Sequence, residues 1–169
     1  MIEKKVLKAG VAKRKISACA KKGGYDIDLM DYTEMEDAAA QALAECSFAL
    51  DLRNLQSLTD EAAEYLTKHK KSINLESVVE LTEKAAKHLA QKQSFIALGM
   101  TTLSTELAQI FSEAIAKIKW IKLTSLDGSD GNLALAQHLK SSNMIIHCHT
   151  LRRENVDERI LKEIPDFKG

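Results

Sequence analysis

The chain has 169 residues, 45% of them hydrophobic, enough for one compact domain. Its 24 Lys and Arg cancel its 24 Asp and Glu, so it lacks the net basic charge of a dedicated nucleic-acid binder. No run of about 18 apolar residues occurs, so no membrane-spanning helix is expected.

The first 24 residues hold eight Lys or Arg against Glu3 alone. Leu7, Val11, Ile16 and Ala20 make a rough apolar stripe, so this segment is expected to form a helix with its lysines in water. From Tyr25 onward a period emerges. Apolar-x-apolar pairs occur at Ile27-Asp28-Leu29, Leu50-Asp51-Leu52, Ile73-Asn74-Leu75, Ile96-Ala97-Leu98, Ile121-Lys122-Leu123 and Ile146-His147-Cys148. Their first members lie 23, 23, 23, 25 and 25 residues apart, and each pair predicts a short strand. A third apolar residue follows at Tyr32, Leu55, Val78, Leu126 and Leu151, with Thr101 the exception.

After each strand comes a helical signal: Ala39-Ala40-Gln41-Ala42-Leu43, Ala62-Ala63-Glu64-Tyr65-Leu66 and Ala85-Ala86-Lys87-His88-Leu89. It continues as Leu107-Ala108-Gln109-Ile110-Phe111, Leu135-Ala136-Gln137-His138-Leu139 and Ile160-Leu161-Lys162-Glu163-Ile164. Helices are therefore predicted near 36–46, 59–70, 82–92, 104–117, 132–140 and 157–164. Thr59 and Thr82 stand where an N-terminal cap belongs, with acids in the first turn behind them. Leu52, Leu66, Leu75 and Leu89 are expected in the core. A unit of about 23 residues cannot bury both its faces alone, but stacked units can, with strands in a parallel sheet and helices covering one side. Strand–helix–strand crossovers are right-handed almost without exception. The fold class is thus α/β: a right-handed solenoid with a parallel sheet on one face and helices on the other. Residues 1–24 form its basic N-terminal cap, and residues 25–169 form six units, the last a polar C-terminal cap.

The segment Leu50-Asp51-Leu52-Arg53-Asn54-Leu55-Gln56-Ser57-Leu58-Thr59-Asp60-Glu61-Ala62-Ala63-Glu64-Tyr65-Leu66 resembles a bacterial variety of leucine-rich repeat with the pattern Leu-x-x-Leu-x-x-Leu-Thr/Ser-Asp-x-Ala-Ala-x-x-Leu. The resemblance covers residues 25–164 and is strongest over 48–111. It departs from the general pattern in the turn after the strand, where the Asn or Cys column is replaced by Tyr32, Leu55, Val78, Thr101, Leu126 and Leu151. The resemblance implies a scaffold that binds a partner protein, and it carries over no catalytic residue.

Three groups of residues have side chains suited to chemistry. His147 and His149 share one strand face but lack the further ligands that a zinc site needs. The run Asp127-Gly128-Ser129-Asp130-Gly131-Asn132 fails the spacing of a calcium loop and reads as a turn. Cys148 falls in the core-facing column, where a thiol behaves as a small hydrophobe. No nucleophile elbow, phosphate loop or dinucleotide fingerprint occurs. A non-enzymatic protein-binding scaffold without cofactor, metal or small-molecule substrate is therefore expected. The alternatives are a structural spacer within a larger assembly, and a nucleic-acid-binding module using the basic N-terminus. Cys19, Cys46 and Cys148 are odd in number and widely spread, which fits reduced thiols in the cytoplasm, with a secreted effector as the other location.

If Leu50 and Leu52 face the core, alternation sends Ala49, Asp51 and Arg53 outward. The same register exposes Asp26 and Asp28, then Ser72, Asn74 and Glu76, then Phe95, Ala97 and Gly99, then Trp120, Lys122 and Thr124, then Ile145, His147 and His149. The expected partner-binding residues on this face are Asp28, Asp51, Phe95, Trp120, Lys122, Ile145, His147 and His149, with Phe95, Trp120 and Ile145 in one column.

Overall fold

The computed structural model describes residues 4–92, 94–100, 103–115, 121–123, 130–141 and 157–163. The chain is mixed α/β. Strand β1 (Val6–Leu7) is followed by α1 (Ala9–Lys22), β2 (Asp26–Asp28), β3 (Glu34–Met35) and α2 (Asp37–Ala44). Then β4 (Ala49–Asp51), α3 (Asp60–Lys68), β5 (Ile73–Leu75), α4 (Glu83–Leu89), β6 (Ile96–Leu98) and α5 (Thr105–Ile115) alternate. Strand β7 (Ile121–Leu123), α6 (Asp130–Ser141) and α7 (Glu158–Glu163) complete the described elements.

The main sheet has the order β2-β4-β5-β6-β7, and every neighbouring pair is parallel. Its register aligns Ile27, Leu50, Ile73, Ile96 and Ile121 in one row, the row set by the apolar pairs. The first two strands begin one residue earlier than predicted, at Asp26 and Ala49. Side-chain facing is unaffected: Ile27, Leu29, Leu50, Leu52, Ile73, Leu75, Ile96 and Leu98 are all buried. The predicted helices end within one to three residues of the observed ones. The predicted strand at 146–148 lies outside the described residues.

The helices form where the small-residue pairs lie. Ala39, Ala40, Ala62, Ala63, Ala85 and Ala86 are fully buried, and methyl side chains let α2, α3 and α4 pack in succession. Leu66 and Leu89 fill the next turn, as expected, and Leu43 does the same in α2. Tyr32, Leu55 and Val78 are buried under the turns. In the fourth unit, where Thr101 breaks that column, Met100 and Leu103 are buried instead.

Two expectations need correction. The N-terminal segment is not only a helix: β1 precedes it and pairs in parallel with β3, Val6 opposite Glu34 and Leu7 opposite Met35. Two residues are too few to show a strand period, and the pairing partner lies 28 residues away. Of the run read as a turn, Asp130 and Gly131 belong to α6, which begins two residues before the predicted start at 132 and whose first-turn acid Asp130 suits the positive end of the helix dipole.

Helix α1 packs on α2 and covers the open edge of the main sheet. Lys15 Nζ donates to Asp28 O at 3.0 Å, and Cys19 Sγ donates to Asp26 O at 3.3 Å. Two side chains thus occupy edge carbonyls that another strand could otherwise pair with. Gly23 ends the helix at φ 63°, with Lys21 and Lys22 in the last turn where the dipole favours cations.

Candidate functional site

The strand face is built from the outward positions of successive strands. Asp28 and Asp51 are register partners, and so are Asp51 and Asn74. These three side chains share one local role. The Oδ1 atoms of Asp28, Asp51 and Asn74 accept from the backbone N–H two residues on, at Met30, Arg53 and Glu76, at 3.0, 3.3 and 3.1 Å. Each closes the turn that leaves its strand. All three point outward as the strand alternation predicts, and the turn-closing role is an addition that the alternation does not reveal. Asp51 is also gripped by Arg53, whose Nη2 lies 2.5 Å from Oδ2, and that bond holds the Asp51 carboxyl below the usual carboxylate range. Asp26, exposed at the head of β2, has no ion-pair partner among the described residues.

Asp26, Asp51 and Phe95 rim a shallow groove of about 190 Å³ whose floor is Ala49, Leu50, Ser72, Ile73 and Asn74. Phe95 is half-buried here, so it is neither core nor fully projecting. Lys122 sits in β7 opposite Ala97. Trp120, Ile145, His147, His149 and Thr124 lie outside the described residues. Ala97 and Gly99, expected outward, are both buried. Ala97 is only 1% exposed because its methyl group rises little above a sheet flanked on both sides. Gly99 lies under the turn of the preceding unit, and a Cβ there would fall 1.9 Å from Glu76 O.

A second polar feature was not predicted from the sequence. At the 23-residue step, just past each helix, come Cys46, His69 and Lys92, whose N–H groups bond Leu43 O, Leu66 O and Leu89 O. His69 is 2% exposed and Lys92 is 1% exposed. Lys92 Nζ reaches back to His69 O at 2.5 Å, and burial pushes its amine down to about 8. Burial, helped by nearby Lys92, also lowers His69. The carbonyls of Phe48, Leu43 and Ala44 lie against the imidazole and favour its protonation, yet neither ring nitrogen is aligned to bond one. Burial raises the Cys46 thiol. The signal was present as three polar residues at one repeat position, three residues after Leu43, Leu66 and Leu89.

The fold and this face define an α/β protein whose parallel strands follow sequence order, with polar and aromatic side chains arrayed across a shallow sheet surface. Among the described residues no three His, Cys, Asp or Glu side chains gather as a metal site, and no helix is long and apolar enough to cross a membrane. Comparison with protein-family models, curated proteins and solved structures finds no match to this chain.

Proposed function

We propose that the chain is a right-handed, leucine-rich-repeat-like solenoid that acts as a non-enzymatic scaffold, binding a partner protein through its strand face. The observation that carries this reading is the register. Asp26 stands opposite Ala49, and Asp28, Asp51, Asn74, Ala97 and Lys122 fall in one row, with Ser72 and Phe95 one residue before β5 and β6. A rigid sheet thereby presents a fixed two-dimensional pattern of side chains, ending in an aromatic ring beside a shallow groove. Aromatic rings, Phe among them, are enriched at the cores of protein interfaces. Handedness follows from the strand–helix–strand connection rule. The half-exposed Cys19 and Cys46 are free thiols, which fits a reducing compartment such as the cytoplasm.

The test is affinity capture from the native host with three proteins: the full chain, Phe95→Ser, and a helix-face variant, Gln41→Lys with Glu61→Lys. Each variant is first matched to the parent by its melting curve. A protein retained by the parent and the helix-face variant but lost with Phe95→Ser is the expected result. Loss with the helix-face variant alone would move the interface to the other side. Identical, empty captures for all three would favour a spacer.

A further inference from the structure

Positive charge in this molecule is concentrated on one element. The chain as a whole is neutral, yet α1 contains no Asp or Glu, whereas every other described helix carries at least one. Lys4 pairs with Glu34, Lys5 with Asp31, and Lys15 with a β2 carbonyl. Lys8, Lys13, Arg14, Lys21 and Lys22 are exposed and have no ion pair among the described residues. Over residues 4–92 only Lys70 and Lys71 share that state. Exposed acids without an ion pair, such as Asp26, Glu36, Glu45 and Glu61, are instead scattered over the strand face and the helix side. The helix dipole accounts for Lys21 and Lys22 in the last turn of α1, but not for Lys13 and Arg14 at its middle. Lys13, Arg14 and Lys21 surround a shallow cleft of about 350 Å³ with Ser17 and Ala18 on its floor, and these small side chains leave room for a phosphate between the cations.

An independent observation lies at the end of the same helix. Tyr25 follows Lys21, Lys22 and the Gly23-Gly24 turn, and it is 89% exposed. Among the described residues it is the one aromatic in the open: Tyr32 and Phe111 are buried, and Phe48, Tyr65 and Phe95 are half-buried. Its carbonyl accepts from Ala49 N at 3.0 Å, so the ring projects from anchored backbone while contributing little to the core.

We propose that the outer face of α1 and the Tyr25 ring bind single-stranded nucleic acid, the cations holding phosphates and the ring stacking on an unpaired base. The site is separate from the strand-face reading and adds a second class of ligand. Cations that track a backbone beside an open aromatic ring are what such binding requires, because every base has a π-face. A duplex keeps its bases stacked and paired, so it offers no face to Tyr25. An acidic peptide would use the charges and leave the ring without a role. A lipid surface fits poorly, because Val11, Ala12 and Ile16 pack toward the core and leave no apolar helix face to insert. Asp26, exposed beside Tyr25, repels phosphate and directs the strand back along α1 rather than onto the strand face. With 14 residues, α1 is about 21 Å long, so the ligand is a stretch of a few nucleotides, held weakly and in a salt-dependent way.

The experiment is fluorescence anisotropy of the full chain with labelled twelve-nucleotide oligo-dT and oligo-U, in salt from about 0.05 to about 0.2 M. The expected result is saturable binding at the lower salt, weakening with a log–log slope of about −2 to −3.5, as three to five phosphate contacts require. Lys13→Ala/Arg14→Ala/Lys21→Ala should weaken binding at least about tenfold and flatten that slope. Tyr25→Ala should weaken it about fivefold or more with the slope unchanged, and Tyr25→Phe should restore it. Lys70→Ala/Lys71→Ala should leave it within about twofold of the parent. Each variant should keep the parent's circular dichroism. The proposal is overturned by a parent that binds neither oligonucleotide, by Tyr25→Ala binding as tightly as the parent, or by the Lys70/Lys71 variant losing as much as the α1 variant. Tighter binding of a duplex of the same length would overturn it in favour of double-stranded nucleic acid. Binding of phosphatidylserine vesicles or polyglutamate in place of the oligonucleotides would overturn it in favour of a lipid surface or an acidic protein. Capture dependent on Phe95 is read separately, so the scaffold reading stands or falls on its own.

Discussion

Lys92 is a buried amine with one backbone acceptor and no carboxylate partner among the described residues. Its folded value, about 8, lies below the ordinary 10.5, so the folded state favours the neutral amine. The unfolded chain takes up its proton below about 10.5, and folding then works against that uptake. The resulting cost is absent above 10.5, grows as pH falls, and is complete below about 8, on the order of 3 kcal/mol. Lys92→Met keeps the volume and removes the charge. It should raise the melting temperature at pH 7, with the difference from the parent shrinking steadily as pH climbs from 8 to 10.5. A loss of stability at pH 7 would show that the bond to His69 O outweighs the buried charge. His69 acts in the same direction at lower pH: its depressed value means stability falls as pH drops through the ordinary histidine range. Gly99 illustrates a different constraint. Its missing side chain admits the Glu76 carbonyl, and in Gly99→Ala that contact is backbone on Cβ, which no rotamer relieves. The variant should lose about 2 kcal/mol or more in urea titration, in the range of overpacked cores.

At the scale of elements, the helix starts are tied to one another. Thr59 accepts from Ala62 N at 3.0 Å and donates to Asp37 Oδ1 at 2.5 Å. Thr82 repeats this one unit later, accepting from Ala85 N and donating to Asp60. Each threonine therefore caps its own helix and holds the first-turn acid of the helix before it. Thr59→Val removes both bonds at nearly constant shape. It should cost about 1–2 kcal/mol, the upper range for a lost cap. Asp37→Asn should cost less. In a double-mutant cycle the pair should couple by about 0.5 kcal/mol or more if the inter-helix bond contributes beyond the cap. Additive losses would reduce Thr59 to a local cap.

At the scale of the molecule, each strand of the main sheet meets only its sequence neighbours. Stability in such an arrangement accumulates from neighbour contacts, so the middle should outlast the ends. Leu50 N bonds Ser72 O, Leu52 N bonds Asn74 O and Ile73 N bonds Phe95 O, all on or directly after β4 and β5, which are flanked from both sides. In native-state hydrogen exchange these amides should be the slowest, and those of α1 should exchange by a lower-energy opening. Equal protection throughout would mean that the chain opens as one cooperative block.

The period, the parallel strand row, the buried Ala pairs and the threonine caps were all legible in the sequence, because each is set by spacing within a unit of about 23 residues, and local spacing determines which side chains share a face. Asp26, Asp28 and Asp51 were legible as outward residues for the same reason. Only the tertiary structure decided what crosses from one unit to the next. The Thr59–Asp37 bond, the Lys92 reach to His69 O, the covering of β2 by Lys15 and Cys19, and the burial of Ala97 and Gly99 all depend on how far neighbouring units are shifted and rotated against each other. That offset is fixed by the packing of whole faces, not by any one unit's pattern, so residues with the right spacing could be named but their partners could not.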